Sequence, residues 1–241
     1  MKFLLITLLF LTCAIANAQS VFIQSKKYFA PYKDEYRQDT AVFELPDIIG
    51  GVSNDMQHRL APYLSPDSLL GENIDSVIAN YISCGCGTVG ATYRVLYNND
   101  NVLSISVAVE TMGAYPDAYY VDINLNLAAG KKIKPSDFLV KSKMKDLAAG
   151  LDKIMQKRIK DKIKSGEIGE EDALQFFEGA KFTEDALNHF AFTEKGVMFY
   201  YNFSIPHALK ALSPDEDFLV TWKDLKEYVR EGSLADKIIN K

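Results

Sequence analysis

The sequence predicts an α+β fold in which helices pack on a mostly antiparallel β-sheet. Residues 102–110 and 119–127 alternate apolar and polar side chains, the period-two pattern of half-buried strands. Residues 142–164 instead place apolar side chains every three or four positions, which indicates one long amphipathic helix. Because short turns join most of the strand segments, antiparallel pairing is favoured.

The first elements come from the N-terminal third of the chain. Residues 19–39 contain Phe22, Tyr28, Phe29 and Tyr32 among lysines, and they predict an extended lead-in or edge strand. Alternation predicts a strand at 40–46, followed by a turn at 48–51. Two segments, 53–64 and 68–82, then carry apolar residues at helical spacing. We expect two helices there, packed on the sheet.

A β-hairpin is predicted in the middle of the chain. Residues 88–97 are rich in β-branched and aromatic residues and should form its first strand. The polar quartet at 98–101 is a strong turn signal that leads into the strand at 102–110. After the strand at 119–127, a turn at 129–132 precedes a helical region that begins near Pro135.

The C-terminal half begins with the long helix at 142–164. A row of basic residues lies opposite its apolar stripe, and it could bind a polyanion, although a solvated charged face is the commoner reason for such a row. A short acidic helix is predicted at 170–177, a hairpin from 188–193 and 197–203, a strand at 218–222, and a helix at 223–229.

The N-terminus predicts export. Lys2 precedes an apolar run at 3–11 and the small-residue pattern Ala16-Asn-Ala18, which together match a bacterial signal peptide cleaved after residue 18. A membrane anchor is disfavoured because the run is far shorter than the ~20 residues that span a bilayer. Lipidation at Cys13 is disfavoured because no small residue precedes it. We expect a periplasmic or extracellular protein with no membrane span after cleavage.

Length and charge limit the organisation and the partners. The 241 residues divide into a signal peptide (1–18), a lead-in (19–39) and an α+β domain (40–241), with two packed subdomains, 40–140 and 141–241, as an alternative. The formal net charge of −5 disfavours nucleic acid and anionic membranes as partners.

Cys84 and Cys86 are the cysteines that remain after signal cleavage. In an oxidising compartment they can pair as a local staple, or they can exchange thiols in a redox reaction. The staple is favoured, because the predicted element order lacks the βαβ context of thioredoxin-like enzymes. A metal site is disfavoured because two thiolates need further ligands and the histidines are scattered singly.

Motifs of hydrolytic and phosphoryl-transfer chemistry are missing from the sequence. It has no Gly-x-Ser-x-Gly, no His-Glu-x-x-His and no phosphate-binding glycine-rich loop, so we expect neither catalysis nor a cofactor. A hydrolase with an unrecognised site remains a further alternative. Glu110 and Asp117 flank one loop as a conceivable acid/base pair, but loop carboxylates are common surface residues. His207 follows Pro206 between strands and is a candidate ligand contact.

Several short segments resemble, in the same order, a bacterial extracytoplasmic domain family of largely undefined function, the RsiV-like family. They cover roughly residues 40 to 229: Leu45-Pro-Asp-Ile-Ile-Gly50, Ser104-Ile-Ser106, Gly113-Ala-Tyr-Pro116, Asn124-Leu-Asn-Leu127 before Gly130-Lys131, Pro135-Ser-Asp-Phe138, Thr193-Glu-Lys-Gly-Val-Met-Phe-Tyr-Tyr201, Ile205-Pro-His-Ala208 and Val220-Thr-Trp-Lys-Asp-Leu-Lys226. One family member is the outer domain of an anti-sigma factor that serves as a lysozyme receptor. Another lies ahead of the catalytic domain of a peptidoglycan deacetylase.

The resemblance implies a binding domain at the bacterial envelope, with a cell-wall glycan or a lysozyme-like protein as its ligand. Tyr115, Tyr119 and Tyr120 cluster around the loop at 113–116, where rigid aromatic rings could stack on a sugar or anchor a protein interface. Asp117 lies in the same segment and could accept hydrogen bonds from the ligand. Tyr115 is the strongest single candidate, and core packing is an equal alternative for Tyr119.

Overall fold

A computed structural model describes residues 20–205 and 207–241, and its larger sheet has six strands. They are β1 (Phe22–Lys33), β2 (Gln38–Gly50), β3 (Gly87–Asn99), β4 (Val102–Met112), β5 (Pro116–Asn126) and β6 (Lys131–Lys132). The strands lie side by side in chain order. Pairing is antiparallel throughout except between β2 and β3, where the intervening helices return the chain in the same direction.

A smaller antiparallel sheet follows, in the order β7 (Phe190–Thr193), β8 (Gly196–Tyr200) and β9 (Asp217–Thr221). Gly196 is required at the start of β8 because the neighbouring strand approaches it closely. Its φ is +155°, and a Cβ at this position would lie 2.1 Å from the backbone oxygen of Val220. A side chain here would force β8 and β9 apart.

Helices cover both sheets. They are α1 (Asn54–Leu60), α2 (Pro66–Leu70), α3 (Ile74–Cys84), α4 (Pro135–Phe138), α5 (Lys141–Ser165), α6 (Glu170–Phe177), α7 (Trp222–Leu225) and α8 (Leu234–Ile239). Shorter 3₁₀ turns occur at Ala61–Leu64, Glu184–Asn188 and His207–Leu212. The α+β class and the long amphipathic helix are therefore confirmed. No helix among the described residues is long and apolar enough to cross a membrane.

Some predicted helix boundaries were wrong. The first predicted helix, 53–64, is α-helical only to Leu60 and continues as a 3₁₀ turn that begins at Ala61. The second, 68–82, is interrupted because Gly71 ends one helix in the left-handed conformation and the Asn73 side chain caps the next by accepting from the Ser76 N–H. The last predicted helix, at 223–229, is a single turn, and α8 after it was not predicted.

Two hydrophobic cores form on either side of the large sheet. One lies between α1–α3 and the odd-numbered face of β4, where Leu103, Ile105, Val107 and Val109 are all fully buried. The other lies among α5, the small sheet and the C-terminal helices, and it includes Phe192 and Phe199. Apolar burial on this scale is the main source of stability.

The prediction that β4 is half-buried was wrong, because the small sheet covers part of its second face. Ser104 is fully buried and Ser106 is 6% exposed. The side chains of Ser104 and Asn124 bond each other (2.7 Å) and both accept from the backbone N–H of Phe192. These buried polar groups are hydrogen-bonded, which offsets the cost of removing them from water. They therefore link the two sheets.

The hairpin predicted between β3 and β4 is confirmed. Its central residues, Asp100 and Asn101, have φ values of +56° and +62°. This is the left-handed conformation that aspartate and asparagine tolerate best among residues with a side chain. The turn brings β4 alongside β3 and so fixes the register that places Arg94 opposite Ser106.

Candidate functional site

A groove of about 1350 Å³ lies where the large sheet and the C-terminal part of the chain diverge. One wall is mainly the even-numbered face of β4 and β5. The other comes from the 3₁₀ turn Glu184–Asn188, the end of β8 and residues 201–205 and 210–216. The Ser104–Asn124 pair closes one end, because β7 is hydrogen-bonded to the sheet there. Beyond it the two walls separate, and the groove opens toward the loop at 113–115.

The inner end of the groove carries a polar row across three neighbouring strands. Arg94 on β3 pairs with Ser106 on β4, which pairs in turn with Asp122 on β5. Directly paired residues project to the same face of a sheet, so the three side chains are neighbours there. Oδ1 of Asp122 is buried, and no described residue hydrogen bonds to it.

Burial raises the pKa of the Asp122 carboxyl above the ordinary aspartate value. A hydrogen bond between the Ser106 hydroxyl and this carboxyl, and the charges of His189 and Arg94, each favour the charged form, but their combined effect is smaller than that of desolvation. A buried acceptor with no protein partner is unusual in native structures. The same oxygen is closed to solvent, so a donor on a ligand reaches it only when the carboxyl turns toward the groove.

His189 and Tyr200 face this row from the second wall. They are held together because the Tyr200 N–H donates to the carbonyl of His189 (2.9 Å). Burial, with smaller effects of Asp122 and Asp217, raises the pKa of Tyr200 to about 12. The phenol thus stays protonated near neutral pH and can donate a hydrogen bond into the groove.

The outer part of the groove is more open and includes Tyr120, Ala118 and Glu110. Tyr120 pairs with Ala108 and shares the even-numbered face with Asp122, and its ring is 64% exposed. An ion pair crosses the groove mouth, since Nζ of Lys210 lies 2.5 Å from Oδ1 of Asp117. This contact ties the 3₁₀ turn His207–Leu212 to the start of β5.

The charge of the groove lining is negative. Its five carboxylates outnumber its two permanent cations: Glu110, Asp117, Asp122, Asp185 and Glu216 against Arg94 and Lys210. The described residues contain no group of three or more histidine, cysteine or carboxylate side chains placed to hold a metal ion. The arrangement suits hydrogen bonding to a neutral or basic ligand.

The predicted ligand-binding residues fall at different places. Asp117, Tyr119 and Tyr120 border the groove, whereas Tyr115 is 72% exposed on the adjoining loop and does not line it. Tyr119 pairs with Val109 on the odd-numbered face, and burial, followed by the charge of Glu72, raises its pKa. Its ring therefore projects away from Tyr120. The side chain of His207 lies outside the described residues.

Cys84 and Cys86 form a disulfide at the C-terminal end of α3, away from the groove lining. Gly85 between them has a φ of +61°, and its carbonyl accepts a hydrogen bond from Arg37 (3.2 Å). The Arg37 guanidinium also lies over the Tyr32 ring, 4.9 Å from its centroid. The disulfide thus belongs to a contact between α3 and the β1–β2 turn.

The inner row was not predicted from the sequence. The alternation at 102–110 and 119–127 predicts that Ser106 and Asp122 lie on the solvated face of half-buried strands, and no motif includes Arg94 or His189. A signal existed, because serine, asparagine and aspartate recur at even positions of 104–106 and 122–124 instead of the long charged side chains usual at exposed strand positions. What it could not show was that a second sheet covers this face.

Two solved structures share the architecture. One is a DUF3298 family member from Bacteroides fragilis, with a TM-score of 0.63 and 14% sequence identity over 93% of this chain and 100% of that one. The other is a DUF3298 family protein from Pseudomonas aeruginosa PAO1, with a TM-score of 0.59 and 13% identity over 88% and 95%. The chain has their fold.

No protein-family model matches the sequence, and no curated protein matches it. At identities this low, the shared DUF3298 fold supports the resemblance to a bacterial domain family at the level of architecture. The narrower likeness to the RsiV-like outer domain stays a prediction from the motifs. Function has to be argued from the groove.

Proposed function

We propose that this protein is exported to the bacterial envelope and binds a cell-wall glycan, without catalysis, in the groove between the two sheets. The predicted signal peptide at 1–18 supports export, although it lies outside the described residues. The observation that carries the proposal is the groove itself. Concave sites with a few convergent polar groups are where proteins bind small ligands and chain ends.

The lining has the chemistry that sugars require. Tyr120 offers an exposed ring on the sheet wall, and Tyr200 contributes a half-buried ring from the other wall. Aromatic rings stack on the apolar faces of sugars, while their hydroxyls remain free to hydrogen bond. The carboxylates and Arg94 supply acceptors and donors for sugar hydroxyls.

Calorimetric titration of the purified protein with soluble peptidoglycan fragments tests the proposal. We expect saturable binding that Tyr120→Ala weakens by more than about 1 kcal/mol, as hot-spot aromatics do. Tyr36→Ala is the matched control, because Tyr36 is 90% exposed in the turn between β1 and β2. If the fragments do not bind, or if both variants bind like the wild type, the groove is not a glycan site.

A lysozyme-like protein is the second candidate ligand. The acidic balance of the groove and the net charge of −5 favour a basic partner. Titration with a lysozyme in the same buffer separates the two candidates. If the lysozyme binds with an affinity that falls steeply as salt is added, and the glycan fragments do not bind, the ligand is a lysozyme-like protein and not a glycan.

A further inference from the structure

The inner end of the groove presents an acceptor and several donors side by side. Oδ1 of Asp122 is buried without a hydrogen-bond partner among the described residues. Around it lie the Tyr200 hydroxyl, the Arg94 guanidinium and the His189 imidazole. A ligand group that fits here has to donate one hydrogen bond and accept another over a short distance.

We propose that this inner end is a subsite for the acetamido group of an N-acetylated amino sugar. Asp122 accepts the amide N–H, and the Tyr200 hydroxyl donates to the amide carbonyl. The methyl group lies against the small apolar lining residues, of which Ala186 is one. This inference rests on the proposed glycan-binding function and names the sugar class that the site selects.

A secondary amide fits better than a charged group. An ammonium at the same place would satisfy Asp122 but would lie close to Arg94, which disfavours a second cation. A carboxylate would face Asp122 and Asp217, both of which already disfavour negative charge on Tyr200. A neutral amide avoids both repulsions, and it can bond whether or not Asp122 is ionised.

A plain hydroxyl is the remaining competitor. It can donate to Asp122, but it has no carbonyl that extends to the donors on the second wall. Sites built to hydrogen bond a particular group discriminate strongly against analogues that lack it, because their buried polar atoms are then left unpaired. We therefore expect selectivity for the acetamido group over a hydroxyl at the same ring position.

Three oligosaccharides of equal length and linkage test the subsite: chitotetraose with N-acetyl groups, its fully de-N-acetylated form, and cellotetraose. They carry an acetamido group, an ammonium group and a hydroxyl at the same ring position. With the full chain in calorimetric titrations, we expect the N-acetylated tetramer to bind at least tenfold more tightly than either analogue.

Two variants connect this preference to the inner row. Asp122→Ala and Tyr200→Phe are each expected to reduce the preference for the N-acetylated tetramer to less than threefold. Glu35→Ala removes an exposed carboxylate from the turn between β1 and β2, outside the groove, and should leave the preference intact. Circular dichroism melts confirm that each variant is folded. If Asp122→Ala proves unstable, Tyr200→Phe still tests the subsite, because it removes only one oxygen atom.

The outcomes separate the subsite from the function. Equal binding of all three tetramers overturns the acetamido subsite while leaving glycan binding in place. Tighter binding of the de-N-acetylated tetramer overturns it as well, because an ammonium is then the preferred group. If none of the tetramers binds and peptidoglycan fragments are inert too, the proposed function fails together with the inference.

Discussion

Asn124 on the large sheet donates a 2.6 Å hydrogen bond from Nδ2 to the backbone carbonyl of Phe190 on the small sheet. Its Oδ1 accepts from the Phe192 N–H at 3.2 Å, so one side chain satisfies backbone groups on both sides of Ala191. This contact joins the two sheets at one end of the groove. It is the structural basis of the site.

Replacing Asn124 by alanine should destabilise the protein by about 2 kcal/mol, because it leaves the buried carbonyl of Phe190 without its partner. Phe192 is less affected, since its N–H also bonds the Ser104 hydroxyl. Urea denaturation measures the loss. Asn80→Ala, an exposed position on α3, serves as the control, and a loss below about 0.5 kcal/mol for Asn124→Ala would contradict this account.

Unfolding of the two sheets should be coincident. Trp222 is the single tryptophan of the chain and stacks on Phe192, 6.0 Å between centroids, so its fluorescence reports on the C-terminal core. Far-UV circular dichroism reports on both sheets. We expect one denaturation midpoint by both probes, because buried hydrogen bonds join the sheets. Two separate midpoints would support two independently folding subdomains.

Asp122→Asn should stabilise the protein at neutral pH. The folded state raises the pKa of this carboxyl, so it binds the proton more tightly than the unfolded chain does. Stability therefore falls as the pH rises from the ordinary aspartate range through the raised pKa. In thermal melts between pH 3 and pH 8, the melting temperature of the variant should rise relative to that of the wild type as the pH increases over that interval. A constant difference would indicate that Asp122 titrates normally.

Loss of the disulfide should cost little. The ring that links Cys84 to Cys86 spans three residues, and the chain-entropy model gives a stabilisation of about 1.5 kcal/mol for so short a loop. We expect Cys84→Ser to lower the free energy of unfolding by about that amount and to leave glycan binding unchanged. Wild-type protein in dithiothreitol is the matched comparison. Catalysed reduction of insulin by the wild type, lost in Cys84→Ser, would instead establish a thiol–disulfide function.

Tyr115→Ala should weaken glycan binding less than Tyr120→Ala does. The sequence predicts Tyr115 as the main contact, but Tyr120 lines the groove on the face that carries Asp122, whereas Tyr115 lies on the loop beside it. Parallel titrations of the two variants with peptidoglycan fragments measure the difference. If Tyr115→Ala loses more affinity than Tyr120→Ala does, the principal ligand contact lies on the loop and not in the groove.

Local patterns predicted the elements well but not the site. The alternation at 102–110, the turn at Asp100 and Asn101, and the apolar stripe of α5 are set by neighbours in sequence, and the structure confirms them. The inner row depends on strand register and on contacts between distant segments. His189 and Asp122 are far apart in the chain, and only the position of the small sheet brings them to one groove.

The N-terminal strand β1 forms one edge of the six-stranded sheet. Long edge strands offer unpaired backbone groups to other chains, and Phe22 and Phe29 are exposed along this one. Pro31 lacks an N–H, and Lys26, Lys27 and Lys33 repel an approaching copy of the same strand. The folded chain should thus stay dispersed at high concentration, and replacing these four residues with threonine should promote fibril-like association.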